Sequence, residues 1–268
     1  MLEPLPALEA RHRTPDRFAR GLPQTAALDW LAAGWADLRK NPATSLVYGL
    51  AVWLLSVAVI AGLAGLGLIN LIFPALSGFL VIGPLLAVGL YEKSRRLGAG
   101  TQPNLRQMLL VRPRSRGQLA FAGLLLCLLI MLWLRAADLL YALFFGMVPF
   151  PGFDNLPSQL LTTVRGWSLI LTGSAIGGLF AAFAMAISLF SIPMLLERRV
   201  DALTALGTSL AMTTQNLRAV LPWGAIVTLG FALSAATGLL GLIVVFPLLG
   251  HGTWHAWVAL RPPEETAT

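Results

Sequence analysis

The chain has 268 residues, of which 57% are hydrophobic and only 12% are charged, and its mean hydropathy is +0.76. Soluble globular domains carry charge on about a quarter of their residues, so this composition excludes a soluble domain and indicates an integral membrane protein. The single cysteine, Cys127, excludes an intramolecular disulfide and a thiolate metal cluster. We expect it to be a buried structural thiol.

The apolar segments predict an all-α fold, because six of them approach the ~20 residues that a helix needs to cross a bilayer. Residues 1–27 combine several prolines with mixed charges, which predicts a flexible N-terminal tail, and residues 261–268 form a second polar tail. A single membrane domain is therefore predicted for residues 28–260. Its predicted spans are Leu46–Leu66, Leu71–Leu90, Gln118–Phe145, Trp167–Leu196, Ala219–Ala236 and Leu239–Leu260.

The basic residues are distributed unequally between the two sides of the predicted bilayer. Six lie before the first span, seven between the second and third, three between the fourth and fifth, and one after the sixth. The opposite side has only Arg165, and Arg135 falls within the third span. Because flanks rich in Lys and Arg are normally cytoplasmic, we expect both termini inside. The net charge of +7 then indicates contact with anionic lipid headgroups, and not nucleic-acid binding.

Three units of similar pattern follow one another along the chain. Each begins with a short surface run, enters the membrane through small residues, and ends in an apolar segment that contains a proline followed by two apolar residues. The pattern predicts three pseudo-repeated hairpins of spans, each with an amphipathic helix at the interface. The matching residues are Asn41, Gly49 and Pro84 in the first unit, Ser115, Gly123 and Pro193 in the diverged second unit, and Asn216, Gly224 and Pro247 in the third.

The run before the first span predicts an amphipathic helix at the cytoplasmic surface. Leu31, Trp35 and Leu38 recur at helical spacing on one face, while Asp37 and Lys40 lie opposite. Such a helix rests in the headgroup region with its apolar face toward the lipid. Anchoring at the interface is the interpretation that we prefer over a docking surface for a partner protein.

Four polar residues near the inner helix ends form a candidate site. Glu92, Asp201 and His255 each stand eight residues after the proline of their unit, and His251 lies one helical turn before His255. If the units pack around an axis, these side chains converge as ligands for a divalent metal, and the histidines leave haem as an alternative. The structural alternatives are an ion pair between Glu92 and Arg96, a helix cap at Asp201 and interfacial hydrogen bonding by His255.

A second polar feature is the pair Arg135 and Asp138, toward the outer end of the third span. Charges at membrane depth usually face the protein interior or water, and they often mark a path for a substrate or a proton. Their three-residue spacing also permits a direct ion pair, which is the interpretation that we favour. A water-filled path lined by these two residues would instead indicate a small transporter or channel.

Three segments together resemble a known family. They read WLAAGW at residues 30–35, GPLLAVGLYE at 83–92 and PLLGHGTWHA at 247–256. Over residues 28–260 the chain is similar to bacterial predicted integral membrane proteins that are catalogued as a domain of unknown function. The resemblance implies a location in the bacterial inner membrane and no established activity.

The sequence therefore predicts a non-enzymatic membrane component without a cofactor, which acts through partners or on the bilayer. A small transporter or channel is the first alternative. A metal- or haem-binding membrane protein that uses His251 and His255 is the second. The lipid bilayer is the expected partner, a membrane protein is an open alternative, and nucleic acid is not expected.

Overall fold

The computed structural model describes residues 17–146 and 155–262. Within these ranges the chain forms twelve α-helices, a 3₁₀ turn at Ile69–Leu71 and no strand, so the all-α prediction is confirmed there. The helices are α1 (Ala26–Arg39), α2 (Pro42–Gly65), α3 (Ile72–Leu86), α4 (Val88–Gly98), α5 (Leu105–Leu109), α6 (Arg116–Phe145), α7 (Leu156–Thr162), α8 (Val164–Ser188), α9 (Ser191–Glu197), α10 (Ala202–Gln215), α11 (Leu217–Ala236) and α12 (Leu242–Leu260).

Six helical segments of the described chain are long and apolar enough to cross a membrane, which confirms the six predicted spans. The second span contains α3 and α4, the fourth contains α8 and α9, and the others are the single helices α2, α6, α11 and α12. Large apolar side chains such as Leu139, Leu179 and Leu229 are exposed on the spans, as expected where lipid covers the surface. Cys127 is exposed on α6 as well, so the prediction of a buried thiol is wrong; a thiol behaves as a small apolar group and suits a lipid-facing position.

Two of the spans are interrupted close to the repeated prolines. α3 ends two residues after Pro84, and Pro193 lies in the first turn of α9. Proline has no N–H group and bends or breaks a helix. Pro247, in contrast, lies inside α12, which continues through it.

Side chains from neighbouring helices bond to the backbone at these interruptions. The Tyr48 hydroxyl donates to the Leu86 carbonyl at 2.8 Å beside the break between α3 and α4. Ser209 acts on both sides of the break between α8 and α9, because its hydroxyl donates to the Ala186 carbonyl at 2.8 Å and accepts from the Phe190 N–H at 3.1 Å. Such partners allow broken helices to persist in a membrane, where backbone groups have little access to water.

Helix α1 buries a face that combines Leu38 from the predicted apolar side with Asp37 from the predicted polar side. Trp30, Gly34 and Asp37 are buried against the bundle, whereas Trp35 is 43% exposed. The prediction that groups Asp37 with Lys40 on the polar face of the helix is therefore wrong for Asp37, which is buried. The reason is close packing: a Cβ atom at Gly34 would lie only 2.6 Å from the backbone nitrogen of Gly252 in α12, so this face of α1 is the one that fits.

Helix α12 lies at the centre of the fold, since α1, α2, α4 and α11 all pack against it. Glycines make these crossings close. A Cβ atom at Gly49 of α2 would lie 2.3 Å from the Ile243 carbonyl oxygen, and one at Gly252 would lie 2.4 Å from the Trp223 ring of α11. Small residues of this kind let membrane helices approach one another. The packing surrounds the C-terminal half of α12, which carries both of its histidines.

The helix contacts follow the order of the three predicted units. The surface helix of each unit packs on the second span of the preceding unit: α1 on α12, α5 on α4, and α10 on α8 and α9. The first spans follow the same order, with Gly49 of α2 against α12, Gly123 of α6 against α3, and Gly224 of α11 against α8. These contacts are those of a cyclic arrangement of hairpins, and the close superposition of the units stays a prediction. The N-cap residues of the three first spans are Asn41, Ser115 and Asn216.

Part of the predicted N-terminal tail lies on the helical domain. The N–H groups of Phe18 and Arg20 donate to the side chains of Gln215 and Asn216 at 2.8 and 2.9 Å. The Asn216 amide donates in turn to the Phe18 carbonyl at 2.8 Å. The chain before α1 is thus attached at the end of α10. The predicted tail over residues 1–16, and residues 263–268 of the other tail, lie outside the described residues.

Candidate functional site

Six polar side chains meet where α1, α2, α4 and α12 come together, near the N-terminal end of α2 and in the C-terminal half of α12. All of them except one histidine are buried, and each hydrogen bonds to another member of the group. We name this group the polar network. Its members are Asp37 from α1, Ser45 from α2, Lys93 and Ser94 from α4, and His251 and His255 from α12.

His251 occupies the middle of the polar network and has a partner on each ring nitrogen. Its Nε2 atom lies 2.9 Å from the Ser45 hydroxyl oxygen, and its Nδ1 atom lies 2.8 Å from the Ser94 hydroxyl oxygen. A neutral imidazole has one N–H donor and one acceptor nitrogen, so one serine donates to the ring and the other accepts from it. A metal ion binds to the lone pair of the acceptor ring nitrogen. In this structure that lone pair accepts a hydrogen bond from a serine, and the bond would have to break before a metal could bind.

Lys93 places a positive charge beside this histidine. Its Nζ atom is fully buried and donates to the Asn41 carbonyl at 2.9 Å and to the Ser45 hydroxyl at 2.7 Å. Asn41 has a left-handed backbone conformation with a φ of 59° between α1 and α2, which asparagine tolerates better than most residues. The tight turn thereby supplies the carbonyl group that Lys93 needs.

Asp37 carries the opposite charge on the α1 side. Its carboxylate lies 2.8 Å from His255 Nε2, and the Lys40 ammonium is 3.8 Å away. Burial raises the pKa of this carboxyl, but hydrogen bonds from His255 and Ser94 and the nearby histidines outweigh burial. The pKa of Asp37 therefore lies below its ordinary value of 3.8, and the group is ionised at neutral pH.

Lys93 at one end of the polar network and Asp37 at the other determine which group donates and which accepts in each hydrogen bond between them. An ammonium group only donates and an ionised carboxylate only accepts. Because Ser45 accepts from Lys93, its own hydroxyl proton is available for Nε2 of His251. The ring proton then belongs on Nδ1 and points to Ser94, whose hydroxyl bonds to Asp37. Hydrogen bonds thus connect a buried cation to a buried anion that it does not touch.

The predicted metal cluster is distributed over three environments. Glu92 accepts from Arg95 Nε at 2.8 Å and from Arg96 Nε at 2.6 Å. Asp201 is exposed and caps α10, accepting from the Thr204 N–H at 2.9 Å, and this backbone hydrogen bond lowers the pKa of Asp201. The two histidines belong to the polar network. In the described part of the chain, no three His, Cys, Asp or Glu side chains lie close enough to hold one metal ion.

Arg135 and Asp138 lie at the other end of the bundle. The Arg135 Nη1 and Asp138 Oδ2 atoms are 3.5 Å apart, and both side chains are exposed, by 79% and 37%. Asp138 also lines a cavity of about 470 Å³ between α3, α6, α7 and α8, to which Asn70, Ser77 and Ser174 add polar groups. Arg135 is not part of this lining. Most of the other lining side chains are apolar, which suits an amphipathic molecule better than an ion path.

Spacing along the sequence identifies the two histidines of the polar network but not their partners. In the sequence, Lys93 is one of the basic residues that follow the second span, and Asp37 is one of the polar residues opposite the apolar face of the run before the first span. One signal for Lys93 is present, because it stands at helical spacing between Leu90 and Leu97 on an otherwise apolar face of α4. Ser45 and Ser94 carry no comparable signal, since single serines are common in membrane helices.

Residues 72–197, from α3 to α9, match the model of a family described as "Predicted integral membrane protein (DUF2189)". The resemblance to such a family is therefore confirmed over this segment, which includes the segment at 83–92 but neither of the other two. Lys93 and Ser94 of the polar network lie inside the match. No curated protein and no solved structure matches the chain.

Proposed function

We propose that this multi-pass helical membrane protein is a non-enzymatic component of the bacterial inner membrane, with both termini in the cytoplasm. The unequal distribution of basic residues supports this orientation. It assigns the polar network and the arginine-rich connection between the second and third spans to the cytoplasmic side.

The closed character of the polar network is the observation that carries this proposal. A nucleophilic serine works beside a general base and needs room for a substrate at its hydroxyl group. Ser45 has suitable neighbours in Lys93 and His251, but all three side chains are fully buried and bonded to one another. A substrate would reach Ser45 only if the helices separated. The arrangement therefore serves to fix α1 and α2 to α4 and α12.

A bundle whose interior is closed in this way can act on other molecules only through its surface. Satisfied polar groups in an interior help to specify which helices pack together, and the polar network contributes side chains from four helices. The spans expose large apolar side chains, and the inner connections carry most of the basic residues. Lipid and membrane-embedded partners are the molecules that match these two surfaces.

A fluorophosphonate probe and an elemental analysis test this proposal on the purified full-length protein. Fluorophosphonates label serines that a neighbouring base activates, and we expect no label on Ser45. We also expect neither a haem absorbance band nor stoichiometric metal. Labelling of Ser45 that is lost in Lys93→Met would overturn the proposal in favour of an enzyme. Bound metal or haem that disappears in His255→Ala would overturn it in favour of a cofactor protein.

The cavity beside Asp138 favours a second candidate function, the binding or transport of an amphipathic molecule. A few polar groups stand in a largely apolar lining, an arrangement typical of small-molecule sites. Mass spectrometry of molecules that copurify with the protein tests this candidate. Ser174→Phe fills the cavity, whereas Ala175→Phe changes an exposed neighbour outside the lining. A molecule that is lost only in Ser174→Phe supports the candidate, and equal retention in both variants contradicts it.

A further inference from the structure

We propose that the connection between the second and third spans contains a binding site for the phosphate headgroup of an anionic lipid. The site is a cavity of about 550 Å³ at the end of α4, beside α5. Four arginines and one glutamate line it, so positive charge is in excess. The charged lining residues are Glu92, Arg95, Arg96, Arg106 and Arg112.

Glu92 holds two of these arginines in place. Its side chain is only 3% exposed, and its carboxylate accepts from Nε and Nη2 of Arg95 at 2.8 and 2.9 Å and from Nε of Arg96 at 2.6 Å. The terminal nitrogens of Arg96 take no part in these bonds. Guanidinium groups bind phosphate oxygens through paired N–H donors. Arginines that are already oriented lose less side-chain entropy when they bind.

Helix α5 forms the opposite wall and carries Arg106. A capping box fixes its first turn, because the Gln107 N–H donates to the Asn104 side chain at 2.9 Å and the Asn104 N–H donates to the Gln107 side chain at 3.1 Å. Met108 is buried, and a Cβ atom at Gly89 of α4 would lie 2.4 Å from its carbonyl oxygen. Since α5 is packed this closely on α4, the two groups of arginines keep their separation.

A second cavity beside the first, lined mainly by apolar residues and also by Arg112 and Arg116, indicates a lipid and not a free phosphate ion. This second cavity, of about 500 Å³, shares Leu110 and Arg112 with the first and adds Leu85 and Leu119 from the adjoining spans. Leu110 is 63% exposed between the two cavities. A phosphate headgroup in the first cavity thus has an apolar surface for the start of an acyl chain directly beside it.

Lipid titrations of the full-length protein in a neutral detergent test the proposal. The probes are short-chain phosphatidylglycerol, phosphatidylcholine of the same chain length, and glycerol phosphate, with binding measured by native mass spectrometry. We expect phosphatidylglycerol to bind most tightly. Arg106→Gln and Arg112→Gln should each weaken it about fivefold, and together about thirtyfold, at ~1 kcal/mol per basic residue. Arg114→Gln is the matched control, since Arg114 is exposed in the same connection but lines neither cavity.

Each other outcome overturns one part of the proposal. If Arg114→Gln weakens binding as much as Arg106→Gln, the affinity comes from general surface charge and there is no site. If glycerol phosphate binds as tightly as phosphatidylglycerol, the site takes a soluble anion and the assignment to lipid is wrong. If phosphatidylcholine binds equally well, the arginine excess does not select the headgroup. Arg106 and Arg112 are both exposed, so their variants keep the fold, which a melting curve verifies.

Discussion

Lys93 shows how single side chains balance charge in this bundle. A buried ammonium group is expensive unless hydrogen bonds and opposite charge compensate it. Its described hydrogen bonds go to two neutral groups, the Asn41 carbonyl and the Ser45 hydroxyl, and the charge of Asp37 compensates it without a hydrogen bond between the two side chains. The free energy of unfolding should therefore depend on every member of the polar network.

Replacement of Lys93 by methionine tests this dependence. The variant keeps an apolar stem of similar length but leaves the Asn41 carbonyl and the Ser45 hydroxyl without their donor. We expect a loss of about 1–3 kcal/mol, the usual penalty for an unsatisfied buried polar group, measured as a lower melting midpoint in detergent. Lys40→Met is the control, because the Lys40 side chain is 56% exposed and its contact with Asp37 is 3.8 Å long. Equal midpoints for the two variants would contradict the compensating role of Lys93.

The polar network should also make stability depend on acid. The folded-state pKa of Asp37 lies below the ordinary value of 3.8, so its contribution is fully present above that value and is lost as the pH falls through the lower, folded-state pKa. We expect the melting midpoint of the wild type to decrease more steeply below pH 3.8 than that of Asp37→Asn. Asp29→Asn, an exposed carboxyl on the same helix, should keep the wild-type slope. A slope unchanged in Asp37→Asn would refute the prediction.

At the scale of helices, the glycine contacts decide which faces meet. Hydrophobic pattern alone groups Trp35 with Leu38 on the lipid-facing side of α1 and puts Asp37 opposite, whereas the structure buries Leu38 and Asp37 together and exposes Trp35. The interface forms where Gly34 and Gly252 let two backbones approach, and Asp37 is buried as a consequence. Sequence patterns predict that these helices exist but not which face of each one contacts its neighbour. In lipid an apolar face gains little by facing the protein, so close packing determines the orientation of each helix about its axis.

Gly49 offers a direct test of such a contact. In Gly49→Ala the new methyl group would lie 2.3 Å from the Ile243 carbonyl oxygen, so α2 and α12 must separate. We expect a loss of about 1–3 kcal/mol, as for other overpacked interiors, seen in thermal unfolding. Gly62→Ala in the same helix has nothing within 4 Å of the new methyl group and should be neutral or slightly stabilising. If both alanine variants melt together, the close approach of α2 to α12 contributes nothing to stability.

At the scale of the molecule, the spans could be predicted from the sequence, whereas the partners within the site could not. Each apolar run identifies a span without reference to the others. His251 stands out because it is polar within such a run. Its partner Ser45, in contrast, lies 206 positions away in the chain. That pairing depends on the cyclic order in which the hairpins pack. The first span and the surface helix of each unit pack against the unit before it. No pattern in a single sequence indicates this order.

Topology is the prediction that concerns the whole molecule. If the basic residues orient the chain, the turn at Gly67 between α2 and α3 faces the periplasm and the segment that ends at Arg116 faces the cytoplasm. Alkaline phosphatase, which is active only outside the cytoplasm, should be active when fused after Leu68 and inactive when fused after Arg116. A fluorescent protein that matures in the cytoplasm should give the opposite result at both sites. An active phosphatase after Arg116 would place the polar network and the arginine-lined cavity on the periplasmic side, where the surface potential of the cytoplasmic leaflet does not act.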